Sequence, residues 1–276
     1  MHLKSDTIGR IFIFVAWPTF LMALTACANS PGPLMDSGHW VDLTHAFSEE
    51  TIYWPNAEHF HLTKIYDGHT SGGYHYSANQ FEAAEHGGTH MDAPIHFDVT
   101  GKAVDRVGLT QIMGNAVVVD IVSKVSKDRD YMAEIQDFLD FEKLHGPIPK
   151  DAIVLIRTGY ERFWPDPARY LGTAERGDAA IPLLHFPGLS QAGAKWLIEN
   201  RAVRAVGLDT ASIDPGPSKS FESHRVLAAN QIPIFENLAE LSSLPPTGAF
   251  VLALPMKIKG GSGAPLRAIA WVPSPD

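Results

Sequence analysis

The chain has 276 residues, of which 45% are hydrophobic and 19% charged, and its formal net charge is −9 at pH 7. This composition is that of a globular protein with ample material for a core. The acidic balance argues against nucleic-acid binding, which depends on basic contacts to phosphate, and the sequence has no basic run, phosphate-loop motif or dinucleotide fingerprint.

The first segment has the pattern of a targeting signal. Lys4 and Arg10 precede an apolar run over residues 11–24, which is shorter than the roughly 20 residues that a membrane span needs. Leu24-Thr25-Ala26-Cys27 then resembles the box at which bacterial lipoproteins are cleaved and lipidated. We therefore expect a signal peptide over residues 1–26, a lipid anchor on Cys27, a tether over residues 27–38 that is rich in Pro, Gly and Ser, and one domain over residues 39–276.

Cys27 is the only cysteine, so no disulfide can form within the chain. The alternative, a buried structural thiol, fits poorly with its place between an apolar run and a Pro/Gly tether. Ala28 follows the cysteine where an aspartate would indicate retention in the inner membrane. By resemblance to sorted lipoproteins, we expect the protein in the bacterial cell envelope, anchored in the outer membrane and facing the periplasm. Loss of residues 1–26 would take the net charge to −10, since Lys4, Arg10 and Asp6 leave together.

Beyond the tether, strands and helices are predicted to alternate. Phe138, Phe141 and Leu144 recur at helical spacing before Gly146-Pro147, Ser190 is placed to cap a helix reaching Asn200, and residues 221–230 form a third candidate helix. An alternation of strands and helices predicts a single α/β domain with a mixed sheet. The apolar, β-branched runs that predict strands are residues 116–122, 152–157, 205–208, 232–235, 249–254 and 268–272.

Three imidazoles and a carboxylate fall within eleven residues, as His86, His90, Asp92 and His96. That mixture of nitrogen and oxygen ligands suits zinc or manganese. A regular helix would place Asp92 on the face opposite His86 and His90, whereas a straight strand would separate His86 from Asp92 by about 20 Å. We therefore expect a strand end followed by a tight glycine-rich turn that folds the ligands inward. The alternative is an exposed histidine-rich loop without function.

With these residues in view, the chain resembles the metal-dependent cyclase family, which includes bacterial kynurenine formamidase and isatin hydrolase. His86-Gly87-Gly88-Thr89-His90-Met91-Asp92-Ala93-Pro94-Ile95-His96 matches the family's His-x-Gly-Thr-His-x-Asp-x-Pro-x-His signature. The resemblance spans residues 40–272 and implies a swivelling β/β/α fold. Further matches in chain order are Asp42-Leu43-Thr44-His45, Arg157-Thr158-Gly159-Tyr160, Gly207-Leu208-Asp209-Thr210, His224 with Glu236 twelve residues later, and Gly260-Gly261-Ser262-Gly263.

The resemblance implies roles for these side chains. His86, His90 and Asp92 would bind one divalent metal, and His224 and Glu236 would complete a second site with Asp92 bridging. Zinc is expected, in one or two copies, with manganese possible. His96 would be the catalytic acid–base group, since a free imidazole has a pKa near 6.5. Two alternatives stay open: His96 as a further ligand or a hydrogen-bonding partner of one, and His224 as a helix-surface residue beside Glu222.

The implied activity is hydrolysis of a small aryl or cyclic amide by metal-activated hydroxide: N-formylkynurenine to kynurenine and formate, a step of tryptophan catabolism, or isatin ring opening. The insert at residues 161–181 resembles the isatin-hydrolase-like branch, whereas the family's commonest activity is that of an arylformamidase, so the sequence favours formamides only slightly. Rival readings are a lactone or dienelactone hydrolase and a non-catalytic ligand-binding lipoprotein. A homodimer is expected.

Other polar and aromatic side chains receive structural interpretations. Asp209, Ser212 and Asp214 are expected to lie in turns and to orient ligands. Trp54, Tyr74 and Tyr76 could wall an aryl pocket or belong to the core. The remaining histidines of the preceding region are interpreted as loop residues; they are His59, His61, His69 and His75.

Overall fold

An eight-stranded mixed sheet lies at the centre of the computed structural model, which describes residues 37–274. The predicted signal peptide, Cys27 and nearly all of the tether fall outside the described residues. The strands are β1 (Gly38–Asp42), β2 (His61–His69), β3 (His75–Glu82), β4 (His90–Asp92), β5 (Met113–Asp120), β6 (Met132–Ala133), β7 (Ile153–Arg157), β8 (Gly188–Leu189), β9 (Ala205–Leu208), β10 (Ile234–Glu236), β11 (Thr247–Pro255) and β12 (Gly263–Pro273).

The central sheet closes on itself. Its strand order is β1-β12-β11-β5-β7-β9-β10-β4, and β4 also pairs with the start of β12. Strands β5, β7, β9 and β10 pair in parallel. Strand β11 pairs antiparallel with β5 and β4 antiparallel with β10, while β12 pairs antiparallel with both β11 and β4. The short strand β4 therefore lies between β10 and the N-terminal end of β12, at the seam of a barrel-like sheet.

Apolar residues fill both sides of this sheet. Along β7, Ile153 and Leu155 belong to a core inside the barrel, and Val154 and Ile156 belong to a second core beneath the helices. Burial of both faces explains why this strand is a continuous apolar run. The helices are α1 (Leu109–Ile112), α2 (Val122–Val125), α3 (Ile135–His145), α4 (Pro167–Tyr170), α5 (Gln191–Arg201) and α6 (Glu222–Ala229).

The predicted single α/β domain with a mixed sheet is confirmed for the described residues. All six predicted strands form, with ends shifted by at most five residues, and the three predicted helices are α3, α5 and α6. The Ser190 hydroxyl caps α5 by accepting a hydrogen bond from the Gly193 amide at 3.0 Å. One boundary was wrong: Gly38, assigned to the tether, begins β1 and pairs with Pro273.

A separate two-stranded hairpin, β2–β3, was not predicted. It contains His61, His69 and His75, so the interpretation of these three histidines as loop residues was wrong. Nearly every residue of the two strands is exposed, and the burial alternation that marks a strand on a core is missing. No helix among residues 37–274 is both long enough and apolar enough to cross a membrane.

Candidate metal centre

The glycine-rich segment places the predicted ligands on three successive local structures. His86 lies in a loop after β3, His90 and Asp92 lie two apart on β4, and His96 ends the short 3-10 turn Pro94–His96. The turn thus precedes the ligand-bearing strand instead of following it. Pro94 also begins this helical turn, because its fixed φ suits the first helical position.

Gly88 adopts φ +58°, a left-handed conformation that favours glycine. Its carbonyl accepts hydrogen bonds from His90 Nδ1 at 2.9 Å and from the Asn237 side-chain amide at 2.7 Å. Asn237 also accepts a hydrogen bond from the Thr89 hydroxyl through its backbone carbonyl. Asn237 therefore fixes the ligand turn, a role that sequence reasoning missed although the residue directly follows Glu236.

The five predicted ligands converge on one place, with Asp92 at the centre of the group. One carboxylate oxygen of Asp92 lies 2.7 Å from His86 Nδ1 and 3.2 Å from His90 Nε2, and the other lies 3.2 Å from His224 Nε2. Glu236 completes the group at 3.4 Å from His90 Nε2 and 3.2 Å from His224 Nε2. Side chains from a loop, two strands and α6 thus meet at the seam of the sheet.

Hydrogen bonds orient two of the imidazoles. His90 donates its Nδ1 proton to the Gly88 carbonyl, and His224 donates its Nδ1 proton to Asp214 at 2.6 Å. With Nε2 deprotonated, as metal binding requires, both lone pairs face carboxylate oxygens, and a cation would satisfy all of these acceptors. Two groups of side chains bring donor atoms close enough to hold a divalent metal: His86 with Asp92 and His96, and His90 with Asp92 and Glu236. His224 adds an imidazole beside Asp92 and Glu236.

Burial and mutual charge shift the acids and bases of this cluster. Burial alone would raise the pKa of Asp92, but the neighbouring His86, His224 and His90 hold it well below its ordinary value. Burial and the charge of Asp92 raise the pKa of Glu236. Burial opposes charge on His224, yet its hydrogen bonds to Asp214, Asp92 and Glu236 raise its pKa well above the ordinary value. Metal binding must displace protons from such groups.

His96 borders the cluster. Its ring stacks on His86 with centroids 3.8 Å apart, and a nitrogen of His96 lies within 4.8 Å of donor atoms of His86 and Asp92. Burial lowers the pKa of His96 to about 4, away from the value near 6.5 that the sequence argument assumed. His96 is therefore neutral at pH 7 and keeps a lone pair that can accept a proton, although its lowered pKa makes it a weaker base than a free imidazole. Its distance leaves both predicted roles, acid–base group and further ligand, open.

The structure agrees with some of the roles expected for the remaining polar and aromatic residues and disagrees with others. Asp214 orients His224, as expected, and His224 is buried beside Asp214 instead of lying on the helix surface beside Glu222. Asp209 does not orient a ligand: it accepts hydrogen bonds from the Thr158 amide and hydroxyl at 2.7 and 2.8 Å. Tyr74 and Tyr76 lie exposed at the hairpin, away from the cavity.

A cavity of about 330 Å³ opens above the cluster. Trp54, Phe97 and Phe221 form aromatic walls, with Phe97 and Phe221 centroids 5.4 Å apart. Ser212 and Asn237 contribute polar groups to the lining. An apolar pocket with a few converging polar groups is the usual form of a small-molecule site.

Comparison with known proteins agrees with this geometry. The family described as putative cyclase matches residues 41–215. The chain belongs to this cyclase family. It is 29% identical to isatin hydrolase of Roseibium aggregatum over 222 residues, 77% of this chain and 80% of that protein. It is 26% identical to kynurenine formamidase of Bacillus anthracis over 238 residues, 85% of this chain and 98% of that protein.

The fold of this cyclase matches solved structures of the family. The structure of isatin hydrolase A from Ralstonia solanacearum superposes with a TM-score of 0.76 and 33% identity, covering 85% of this chain and 92% of that chain. The predicted cyclase-like fold is thereby confirmed for the domain.

Proposed function

We propose that this cyclase is a metal-dependent hydrolase of small amides that cleaves a C–N bond other than a peptide bond. The observation that carries the proposal is a cluster of three imidazoles and two carboxylates, all buried except the partly buried His86, in the lining of an apolar cavity. When bound, a divalent metal in such a site polarises a carbonyl and lowers the pKa of water. The family relationship to isatin hydrolase and kynurenine formamidase supports the same reaction class.

The walls of the cavity favour a flat aromatic amide. Trp54, Phe97 and Phe221 can pack against an aryl ring, while the ligand cluster lies against the same space. A cavity volume of about 330 Å³ suits a bicyclic compound and leaves little room for a folded polypeptide. We place isatin first, because the 33% identical structural relative is an isatin hydrolase, and N-formylkynurenine second.

Proton transfer falls to His96. Its neutral imidazole can take a proton as water adds to the carbonyl carbon and return that proton to nitrogen as the C–N bond breaks. The stacking of His96 on His86 keeps the ring beside the ligand cluster. A binding protein without catalysis would have no need for this group, which argues against the non-catalytic reading.

A substrate panel tests the proposal. The purified, metal-replete protein is assayed with isatin, N-formylkynurenine, an aryl lactone and a short peptide, each with and without a chelator. Hydrolysis of either amide that stops on chelation supports the proposal. Activity on the lactone alone would move the assignment to an ester hydrolase, and inertness toward all four compounds with metal retained would favour a binding protein.

We propose zinc as the metal, in one or two copies, with manganese as the alternative. The two groups that could hold an ion share Asp92: one is His86, Asp92 and His96, and the other is His90, Asp92 and Glu236. Nitrogen-rich ligand sets suit zinc, and the carboxylates also accept manganese. Elemental analysis of protein purified without added metal decides. Less than about half an equivalent, with no uptake on titration, would remove the proposal, since sites of this kind hold metal well.

We propose that the chain forms a homodimer, in which the β2–β3 hairpin contributes to the interface. An isolated two-stranded hairpin is marginally stable in water. This one exposes a set of large apolar side chains at 40–64% of their surface: Leu62, Ile65, Tyr66, Tyr74, Tyr76 and Phe81. Light scattering on the domain should report twice the chain mass. Ile65→Lys should shift the population toward monomer, whereas Val99→Lys, at an exposed residue of another loop, should not.

We also propose that Cys27 carries a lipid anchor in the outer membrane, facing the periplasm. The support is Leu24-Thr25-Ala26-Cys27 after a short apolar run. Metabolic labelling with a fatty acid, followed by fractionation, should mark the full-length protein. Cys27→Ser should remove the label and release the protein from the membrane fraction. Labelling that persists in this variant would contradict the proposal.

A further inference from the structure

The loop Gly260-Gly261-Ser262-Gly263 lies directly against the ligand segment. Gly263 pairs with Asp92 across β12 and β4. A Cβ on Gly263 would stand 2.4 Å from His86 Cε1, so only glycine permits this approach. The Ser262 carbonyl accepts a hydrogen bond from the Ala93 amide at 2.8 Å. The pairing of Gly263 with Asp92 and the hydrogen bond from the Ala93 amide to the Ser262 carbonyl thus hold the serine side chain beside His86.

Glu85 and Ser262 form a polar chain that ends on His86. One carboxylate oxygen of Glu85 accepts hydrogen bonds from the Ser262 amide at 2.9 Å, the Ser262 hydroxyl at 2.7 Å and the Gly263 amide at 3.3 Å. The same hydroxyl oxygen lies 2.9 Å from His86 Nε2. The other ring nitrogen, Nδ1, faces Asp92 at 2.7 Å.

Counting protons fixes which group donates and which accepts in the hydrogen bonds that join Glu85, Ser262 and His86. A carboxylate can only accept, so the single hydroxyl proton of Ser262 must point to Glu85. The hydroxyl oxygen then offers only lone pairs to His86, and His86 must carry its proton on Nε2. In the neutral ring Nδ1 then carries the lone pair and faces Asp92, where a cation would satisfy both acceptors.

We propose that Glu85 and Ser262 are positioning residues that hold His86 as its Nε2–H tautomer, so that His86 binds the metal through Nδ1. His90 and His224 are oriented the opposite way, since each donates its Nδ1 proton and presents Nε2. The Glu85–Ser262 chain is therefore what lets His86 approach Asp92 from the loop side of the site. This inference rests on the proposed metal site, but it concerns residues outside the ligand set.

The unaltered protein provides the first test. Nitrogen-15 NMR of the zinc-loaded protein, with the histidines labelled, should show His86 bound through Nδ1 and protonated at Nε2, and His90 and His224 with the opposite pattern. Coordination of His86 through Nε2 would overturn the inference without any substitution. Because this measurement needs no variant, it stands even if a variant fails to fold.

The second test measures metal affinity by competition with a chromophoric chelator. Ser262→Ala should weaken zinc binding by about 10- to 100-fold, the usual effect of losing a partner that orients a ligand. Glu85→Gln keeps an acceptor oxygen for the loop amides and should weaken binding less. Ser243→Ala removes an exposed hydroxyl paired with Glu240 at 3.2 Å, away from the site, and serves as the matched control.

The outcomes separate this inference from the proposed function. Unchanged zinc affinity in Ser262→Ala, with normal affinity in the unaltered protein, would overturn the positioning role and leave the metal hydrolase standing. Failure of the unaltered protein to bind zinc or manganese would overturn both. Loss of affinity in Ser243→Ala as well would show a general effect on stability and would also overturn the specific role of Ser262.

Discussion

The proposed acid–base role of His96 can be tested directly by substitution. Its imidazole lines the cavity and stacks on His86. His96→Ala should keep its metal and lose about 10²- to 10⁴-fold in turnover, the usual contribution of a general acid–base group. Turnover and metal content are measured together.

His145→Ala, at an exposed histidine at the end of α3, is the control for His96→Ala and should keep full activity. If His96→Ala loses metal, His96 is a ligand, as its place beside His86 and Asp92 permits. If turnover is unchanged, another group moves the proton.

Asp209 is a buried acid outside the site, and its charge opposes folding. Burial raises its pKa from 3.8 to about 6. When folding raises the pKa of an acid, the folded state is favoured most at pH values below the pKa of the unfolded state, where the acid is protonated in both states. The free energy of unfolding then falls as the pH rises toward the pKa of the folded state. Asp209→Asn should therefore gain stability relative to the unaltered protein between pH 4 and pH 7, by about 3 kcal/mol.

Urea unfolding at several pH values measures this gain, with chelator present so that metal loss does not contribute. Asparagine keeps an acceptor oxygen for the Thr158 amide and hydroxyl. Glu199→Gln, at an exposed carboxylate on α5, is the control and should show a pH-independent difference. A difference for Asp209→Asn that is equally constant with pH would contradict the assignment.

At the same scale, the sequence identified the residues that cluster in the candidate site but not the side chains that hold them in place. His86, His90 and Asp92 could be recognised as a candidate site because they lie close together in the sequence at even spacing. Few structural roles require two histidines and an aspartate so near one another. Glu85, Ser262 and Asn237 act through side chains brought together from loops far apart along the chain, and no local pattern reports such pairing. Ser262 is 177 residues from Glu85.

Among elements, α3 and α5 are joined through one capping serine. The Ser190 hydroxyl accepts from the Gly193 amide at the start of α5 and donates to Glu134, the residue before α3, at 2.8 Å. Ser190→Ala should cost roughly 1–2 kcal/mol in unfolding free energy, the upper part of the range for lost caps, because the partly buried hydrogen bond to Glu134 is lost as well.

Urea unfolding of the Ser190 variant measures that cost directly. Lys195→Ala, at an exposed position in the middle of the same helix, should change stability by less than about 0.5 kcal/mol. Equal effects of the two substitutions would mean that the cap contributes nothing beyond an ordinary helix position.

The contrast between β7 and the β2–β3 hairpin explains which elements the sequence could predict. A strand buried on both faces must be apolar throughout, so residues 153–157 were recognisable. The hairpin strands lie exposed on both faces, so their mixture of His, Lys, Tyr and Ile carries no periodic signal. Strand β4 is too short to stand out, and its ladder partners β10 and β12 come from distant parts of the chain.

At the scale of the whole molecule, the ligand cluster lies where the sheet closes. Asp92 and His90 are on β4, Glu236 is on the neighbouring β10, and His224 comes from α6. Two buried carboxylates face each other across this seam, and their repulsion contributes to the raised pKa of Glu236. A bound cation would offset that repulsion and tie the two strands and the helix together.

Metal binding should therefore stabilise the entire domain. At a free zinc concentration about 100 times the dissociation constant, the gain is about 2.7 kcal/mol, which for a domain of this size raises the Tm by about 5–10 °C. At one fixed zinc concentration the gain should be larger at pH 8 than at pH 6, because the proton on His224, held by a raised pKa, must leave before the imidazole can bind. Calorimetry of stripped and reloaded protein at both pH values measures this gain.

Asp92→Asn is the control and should show little gain in Tm at either pH. A Tm of the unaltered protein that does not change when zinc is added would contradict a metal at this seam.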